Sequence, residues 1–266
     1  TTLTNPQTLD SDGKFQQPVY VDAPVIATVS GLTIADHDTG IIQAVLSAGS
    51  VADVLTTFSA SSGSSLIGTI QAGVGAVAST VQAKLRKWIF VMDFAVAGDG
   101  VTDDTAGIQA AITAAAGRSL YFPSGTYKIT APLNINSAGT WLRGESAGIG
   151  AGHTVGAVIL NTGAGDAVKF ENLGAGGTTL HGCGIEHITI TRSANAAAGS
   201  GLHLIDTSNF SLNNVHVAEH NVCYDLEDAQ STKFNTFSAY AGTYLTSGAA
   251  LLHIRPLTAF AGAGVD

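Results

Sequence analysis

The sequence predicts a mostly β fold: a right-handed parallel β-helix with an N-terminal capping helix, preceded by a helical neck and a small N-terminal β anchor module. Three observations predict it. Short alternating β runs recur, with Ile185–Ile190, Leu212–Val217 and Phe234–Ala239 starting 27 and 22 residues apart, and a period in the twenties belongs to solenoids. A second set, Gly201–Ile205, Val222–Leu226 and Ala250–Ile254, interleaves with the first, so each repeat carries more than one strand. Third, the 266 residues include 32 Gly and only 6 Pro, are 45% hydrophobic and only 12% charged. That composition suits many short strands joined by tight turns and excludes an acidic disordered chain.

The elements follow in order. Residues 1–40 carry the turn signals Asn5-Pro6, Asp10-Ser11-Asp12-Gly13 and Ala23-Pro24 around the short β runs Val19–Val21 and Val25–Val29. Such a module has little core of its own and leans on a partner. Residues 41–92 change period: Val77, Val81, Leu85 and Ile89 fall four apart with Trp88 alongside, one stripe of a helix. A shorter version, Leu66, Ile67, Ile70 and Val74, follows a flexible Ser/Gly joint at 59–65. Copies packing on one another bury such a stripe, preferably as a threefold bundle.

Residues 93–266 form the β-helix. Gly98-Asp99-Gly100-Val101-Thr102-Asp103-Asp104 leads into a helix with Ile108, Ala111, Ile112 and Ala115 on one face. Thr102 is its expected N-cap and Gly117 its C′ residue. Ser119–Phe122, a Pro-Ser-Gly turn and Thr126–Thr130 follow as strand, turn, strand. Beyond them the repeats stack Ile185, Leu212 and Phe234 in one internal column, with Asn213, Asn214 and Asn235 placed for an amide ladder. At a repeat in the twenties there is room for about seven or eight coils.

These residues also carry a family resemblance. Ala95–Thr105, with Ile108-Gln109-Ala110-Ala111-Ile112, Leu120–Ile129 and Pro132-Leu133, resembles the start of the pectate-lyase-like β-helix superfamily, whose members include polysaccharide lyases, polygalacturonases and bacteriophage tailspikes. Asn5–Phe15 with Pro18–Val21 is similar to the virion-attachment region of phage tail fibres and tailspikes, and residues 61–86 resemble the neck that precedes their β-helix. The resemblance implies a homotrimer. Its N-terminus would dock on a phage baseplate or tail protein, and its β-helix would meet bacterial surface polysaccharide. It implies a virion component made in the host cytoplasm without a signal peptide, and Thr1-Thr2-Leu3-Thr4 lacks the basic and apolar regions of one.

Function classes narrow further. Net charge is −9 with 11 Lys and Arg, and no basic cluster exists to neutralise phosphates, so nucleic acid and membrane surfaces are not expected partners. No apolar run is long enough to span a bilayer. Cys183 and Cys223 show no metal-ligand spacing and read as reduced core thiols; no metal or cofactor is expected. Glycoside hydrolysis needs two carboxylates. In the stacked region these are Glu186, Asp206, Glu219, Asp225, Glu227 and Asp228. Asp206 lies about one coil from Asp225 and Glu227, so these three are the catalytic candidates. No polygalacturonase signature supports them: the Asp103-Asp104 pair sits at the capping helix, and Asn-Thr-Asp and Arg-Ile-Lys are absent. Two functions stay open, a tailspike component that binds surface polysaccharide and a polysaccharide depolymerase. The histidines of the repeats are read as ordinary outward groups. Trp88 is read as neck core, Trp141 as a coil-interior residue, and Gly148–Gly152 as a loop between coils.

Overall fold

The computed structural model describes residues 55–148, 155–172, 178–193, 198–240 and 250–255. The 1–40 module and neck residues 41–54 lie outside them. The chain divides into two compact units, Thr1–Ala83 and Lys84–Asp266.

In the first unit, residues 55–59 are helical and Gly63–Ser65 form a 3₁₀ turn, where the 59–65 stretch was expected to be a loose joint. Strands β1 (Gly68–Thr69) and β2 (Ser79–Thr80) pair antiparallel. The predicted long helix shrinks to α1 (Val81–Leu85), and Ile89 lies in a strand. Val77 and Leu85 are 83% and 62% exposed, Val81 is half-buried, and Ile89 alone is buried, as part of the β-helix core, so the stripe is not one packed helical face. A five-residue helix without a packed face gains too little to propagate.

The second unit is a stack of coils. Strand β3 (Ile89–Phe90) and β4 (Asp99–Asp103) open it, and α2 (Thr105–Ala114) follows. Then come β5 (Ser119–Phe122), β6 (Gly125–Ile129), β7 (Leu133–Ile135), β8 (Trp141–Gly144), β9 (Ala157–Asn161), β10 (Val168–Phe170) and β11 (Leu180–His181). The last coils comprise β12 (Gly184–Glu186), β13 (Ile188–Arg192), β14 (Ser200–Ser208), β15 (Ser211–Ala218), β16 (Val222–Gln230), β17 (Lys233–Tyr240) and β18 (Ala250–Arg255). All pairing in this unit's named strands is parallel, one coil to the next. The first ladder runs β3-β5-β8-β12 and on through the N-terminal halves of β15 and β17. The second runs β4-β6-β9-β13 and through the C-terminal halves of the same two strands. The third runs β7-β10-β14-β16-β18. Among the described residues this makes six coils, fewer than the seven or eight expected, because the middle coils are longer: Leu142 and Ile185 are direct partners 43 positions apart.

The core is a set of columns. Leu120, Leu142, Ile185 and Leu212 are register partners with no exposed surface, and Phe234 continues the line. Phe170 and Phe210 meet edge to face at 4.8 Å. Each such side chain is worth about 1.5–3 kcal/mol of burial. No described strand stacks on β17 and β18, and there the inward positions Leu252 and Ile254 are 42% and 69% exposed.

Helix α2 covers the first coil with Ile108, Ala111 and Ile112. Its N-cap is Asp104, which replaces the expected Thr102. Thr102 instead donates both its N–H and its hydroxyl to the Asp99 carboxylate, which also accepts the Val101 N–H. The buried Asp104 carboxylate turns back to the Ala97 and Gly98 N–H groups at 2.7 and 3.1 Å. Gly117 has φ +72°, as a C′ residue requires.

Single left-handed residues turn the corners. His187, Asn214 and Thr236 have φ of 56°, 51° and 55° and occupy successive coils at the corner between the first and second ladders. Asp206 and Asp228 form a second such column, Asn209 and Ser231 a third. Asn213 and Asn235 do form an amide contact, Asn235 Nδ2 donating to Asn213 Oδ1 at 3.3 Å. Asn214 faces His187 Nδ1 at 3.0 Å. Cys183 and Cys223 are free and buried.

Candidate functional site

On the third ladder, inward and outward residues alternate. Leu202, Leu204, Tyr224 and Leu226 fill the core, which sends the residues between them to the outer face. Coil-to-coil register then aligns Lys169, His203, Asp225 and His253 in one outer column, and Ile205, Glu227 and Arg255 in the next. The lateral period brings together groups far apart in sequence.

His203 is the centre. Its Nδ1 lies 2.8 Å from Asp166 Oδ2. Its Nε2 lies 3.6 Å from both Asp225 Oδ2 and Glu227 Oε2, and 3.3 Å from Arg255 Nη2. Arg255 bridges the two carboxylates, Nη2 to Asp225 at 3.2 Å and Nη1 to Glu227 at 2.7 Å. His253 Nδ1 lies 3.3 Å from Asp225 Oδ1. Ser200 donates its N–H to Asp166 Oδ1 at 2.7 Å and its hydroxyl to Asp225 at 3.4 Å. His203, Asp225 and Glu227 are buried, while Asp166 and Arg255 are half-buried and His253 is exposed, so the network has a shielded centre and an open rim.

Burial opposes ionisation of Asp166, but the hydrogen bonds from His203 and the Ser200 N–H outweigh it and hold the carboxyl below the usual aspartate range. The ionised Asp166 carboxylate holds the His203 ring by Nδ1 and so aims Nε2 at the Arg255 guanidinium and the two carboxylates of the next coil. The hydrogen bonds to Asp225, above all, hold Arg255 more firmly charged than a free arginine. Asp225 and Glu227, two residues apart on one strand face, turn their carboxylates to the same His203 Nε2 and share the Arg255 guanidinium.

Of the three sequence candidates, the structure brings Asp225 and Glu227 together. Asp206 sits apart from them at a left-handed corner, takes a hydrogen bond from Thr179 Oγ1 at 2.8 Å, and aligns with Asp228. Glu186 pairs with Arg143 on the first ladder. Sequence reasoning missed Asp166, His203 and Arg255. The signal was present for two of them, since aligning the three interleaved repeats sets His203 beside Asp225 and Arg255 beside Glu227. The reading of the repeat histidines as surface groups is corrected for His203, His216 and His220, which are buried. Trp141 is likewise outside the coil: Leu142 points in, while Trp141 is half-buried beneath Arg143, whose guanidinium carbon lies 4.7 Å from the ring centroid. Among the described residues no group of three or more His, Cys, Asp and Glu is arranged to hold a metal ion, and no helix is long and apolar enough to cross a membrane.

Comparison with known proteins follows from this geometry. The family described as "Rhamnogalacturonase A/epimerase, pectate lyase-like" matches residues 88–221, half of the chain. Alginate lyase 7 of Azotobacter vinelandii is 32% identical over 112 residues, covering 41% of this chain and 13% of that protein. Among solved structures, the tailspike protein of E. coli bacteriophage HK620 in complex with pentasaccharide has the same fold, with TM-score 0.56 at 12% identity over 77% of this chain and 39% of that one. ORF18 of Geobacillus virus E2 gives 0.47 at 21% identity over 66% of this chain and 41% of that one. The chain thus spans well under half the length of these proteins.

Proposed function

Because the chain belongs to the rhamnogalacturonase A/epimerase, pectate-lyase-like family, we propose that its β-helix is the glycan-binding part of a phage tailspike, contacting host surface polysaccharide through the outer face of the third ladder. The observation that carries this is the Asp166–His203–Asp225–Glu227–Arg255 network, whose buried centre is reached from outside through the half-buried Asp166 and Arg255. Pre-positioned charge of this kind suits recognition of sugar hydroxyls better than stability, since exposed or buried ion pairs add little net folding energy. The likeness in fold to the HK620 tailspike, whose complex holds a pentasaccharide, agrees with it. In the same proposal three copies associate through the part of the 41–92 neck that precedes Trp88, and residues 1–40 dock on the virion tail.

A second function, depolymerisation, is favoured by the pairing of Asp225 with Glu227. In hydrolysis one carboxylic acid protonates the leaving glycosidic oxygen as the C–O bond breaks. Water adds to the anomeric carbon and gives its proton to the other carboxylate.

Affinity electrophoresis through gels containing alginate, dextran or E. coli lipopolysaccharide tests binding, and reducing-end release tests hydrolysis. Retardation by one polymer, at least tenfold weaker in E227Q and R255A, is expected. Retardation equal in the wild type and both variants contradicts the assigned face. New reducing ends lost in D225N and E227Q establish depolymerisation, and intact polymer limits the chain to binding.

A further inference from the structure

The first ladder has an outer face of different chemistry. Register places Phe90, Tyr121, Arg143, Glu186, Asn213 and Asn235 in one outward line, one residue per coil. Parallel strands set successive members about 4.8 Å apart. The N-terminal end of the line is aromatic. Trp88 and Phe90 flank Tyr121 with ring centroids at 5.1 and 5.5 Å, tilted by 44° and 36°. Trp88 and Phe90 remain 56% and 40% exposed. Phe90, Tyr121, Pro123, Arg143 and Glu145 line a groove of about 290 Å³ beside them. The rest of the line is planar and polar: Arg143 pairs with Glu186, and Asn235 donates to Asn213.

We propose that this line is a second glycan-contacting strip, on a ladder separate from the charged network, which takes an uncharged stretch of polysaccharide along the β-helix axis. Aromatic faces accept the C–H faces of pyranose rings, and the guanidinium, carboxylate and amides that follow offer donors and acceptors to hydroxyls in the same direction. A protein partner fits less well, because the core of a protein interface is depleted of charged groups and this line carries an ion pair at its middle. Uncharged sugar suits it because Arg143 is already neutralised by Glu186. The strip rests on the chain being a glycan binder, so its test must separate the two.

The chain has two tryptophans, Trp88 and Trp141, and both lie at the first ladder, Trp141 on the outer side of β8. Their emission therefore reports on this face and not on the third ladder. Titration with dextran or with E. coli lipopolysaccharide, with alginate as the charged control, is expected to shift the emission to shorter wavelength. Half-saturation should move about tenfold higher in Y121A and be restored in Y121F. Gel retardation and light scattering are read on the same samples. Retardation without an emission shift, or with Y121A unchanged, overturns the strip and leaves the third-ladder function standing. A Y121A chain that loses assembly mass while keeping its retardation assigns the face to protein contact and overturns the strip. No retardation by any polymer overturns both.

Discussion

Leu212 shows what one position contributes. It has no exposed surface and sits between Ile185 and Phe234 in a column through three coils. Leu212→Ala leaves a cavity that neighbours on both sides cannot close, and the expected loss is about 2–5 kcal/mol by urea denaturation. His220 makes a different kind of residue-scale statement. It is buried, donates from Nδ1 to Ala218 O at 2.7 Å, and has no partner for Nε2. Burial, helped by the nearby Arg192 charge, lowers its pKa from 6.5 to about 4. Above pH 6.5 the imidazole is neutral whether the chain is folded or not, and it costs nothing. As pH falls from 6.5 to about 4, the unfolded chain binds a proton that the folded chain refuses, so stability declines by about 3 kcal/mol and then levels. Carboxylates held low, such as Asp103 and Asp166, lose their contribution only as pH drops through the ordinary carboxylate range and below. Chemical denaturation between pH 7 and 4.5 should show this slope in the wild type and not in H220Q; equal slopes would assign the loss to other groups.

At the scale of the element, the corners decide whether a strand can turn without losing its ladder. Asn214 holds φ 51° between two paired halves of β15. A β-branched residue is strained there, so N214V should cost about 1–3 kcal/mol in thermal or urea unfolding, while N214G should stay within about 1 kcal/mol of the wild type. Equal losses for the two variants would locate the cost in the Asn214–His187 contact instead. Gly144 marks a tighter requirement: a Cβ there would lie 2.0 Å from His187 O, so G144A should destabilise more than N214V. The repeated strands were legible in the sequence because the same inward pattern recurs coil by coil, Ile185, Ile188 and Ile190 and then Leu212, Val215 and Val217. The neck helix was not, since the four-residue spacing of Val77, Val81 and Leu85 describes a face that only a partner could bury. Thr102 misled for a local reason, because the nearby Asp99 captures its hydroxyl and N–H and leaves Asp104 to begin the helix.

For the whole molecule, a solenoid converts sequence period into adjacency across coils. Asp225 and Glu227 were legible as candidates, but the sequence paired each with Asp206 one coil away, whereas register aligns Asp206 with Asp228. Their partners were legible only once register was known: Asp166 belongs to a turn, and Arg255 comes one coil later. Charge that is harmless along the chain thus becomes a concentrated network on one face, while aromatic and planar polar groups collect on another. The most direct measurement of this division is a crystal structure of the chain with an oligosaccharide released from the polysaccharide that retards it. The account predicts sugar within hydrogen-bond distance of Asp225, Glu227 or Arg255 on the third ladder. Sugar seated only elsewhere, with that network untouched, would contradict it.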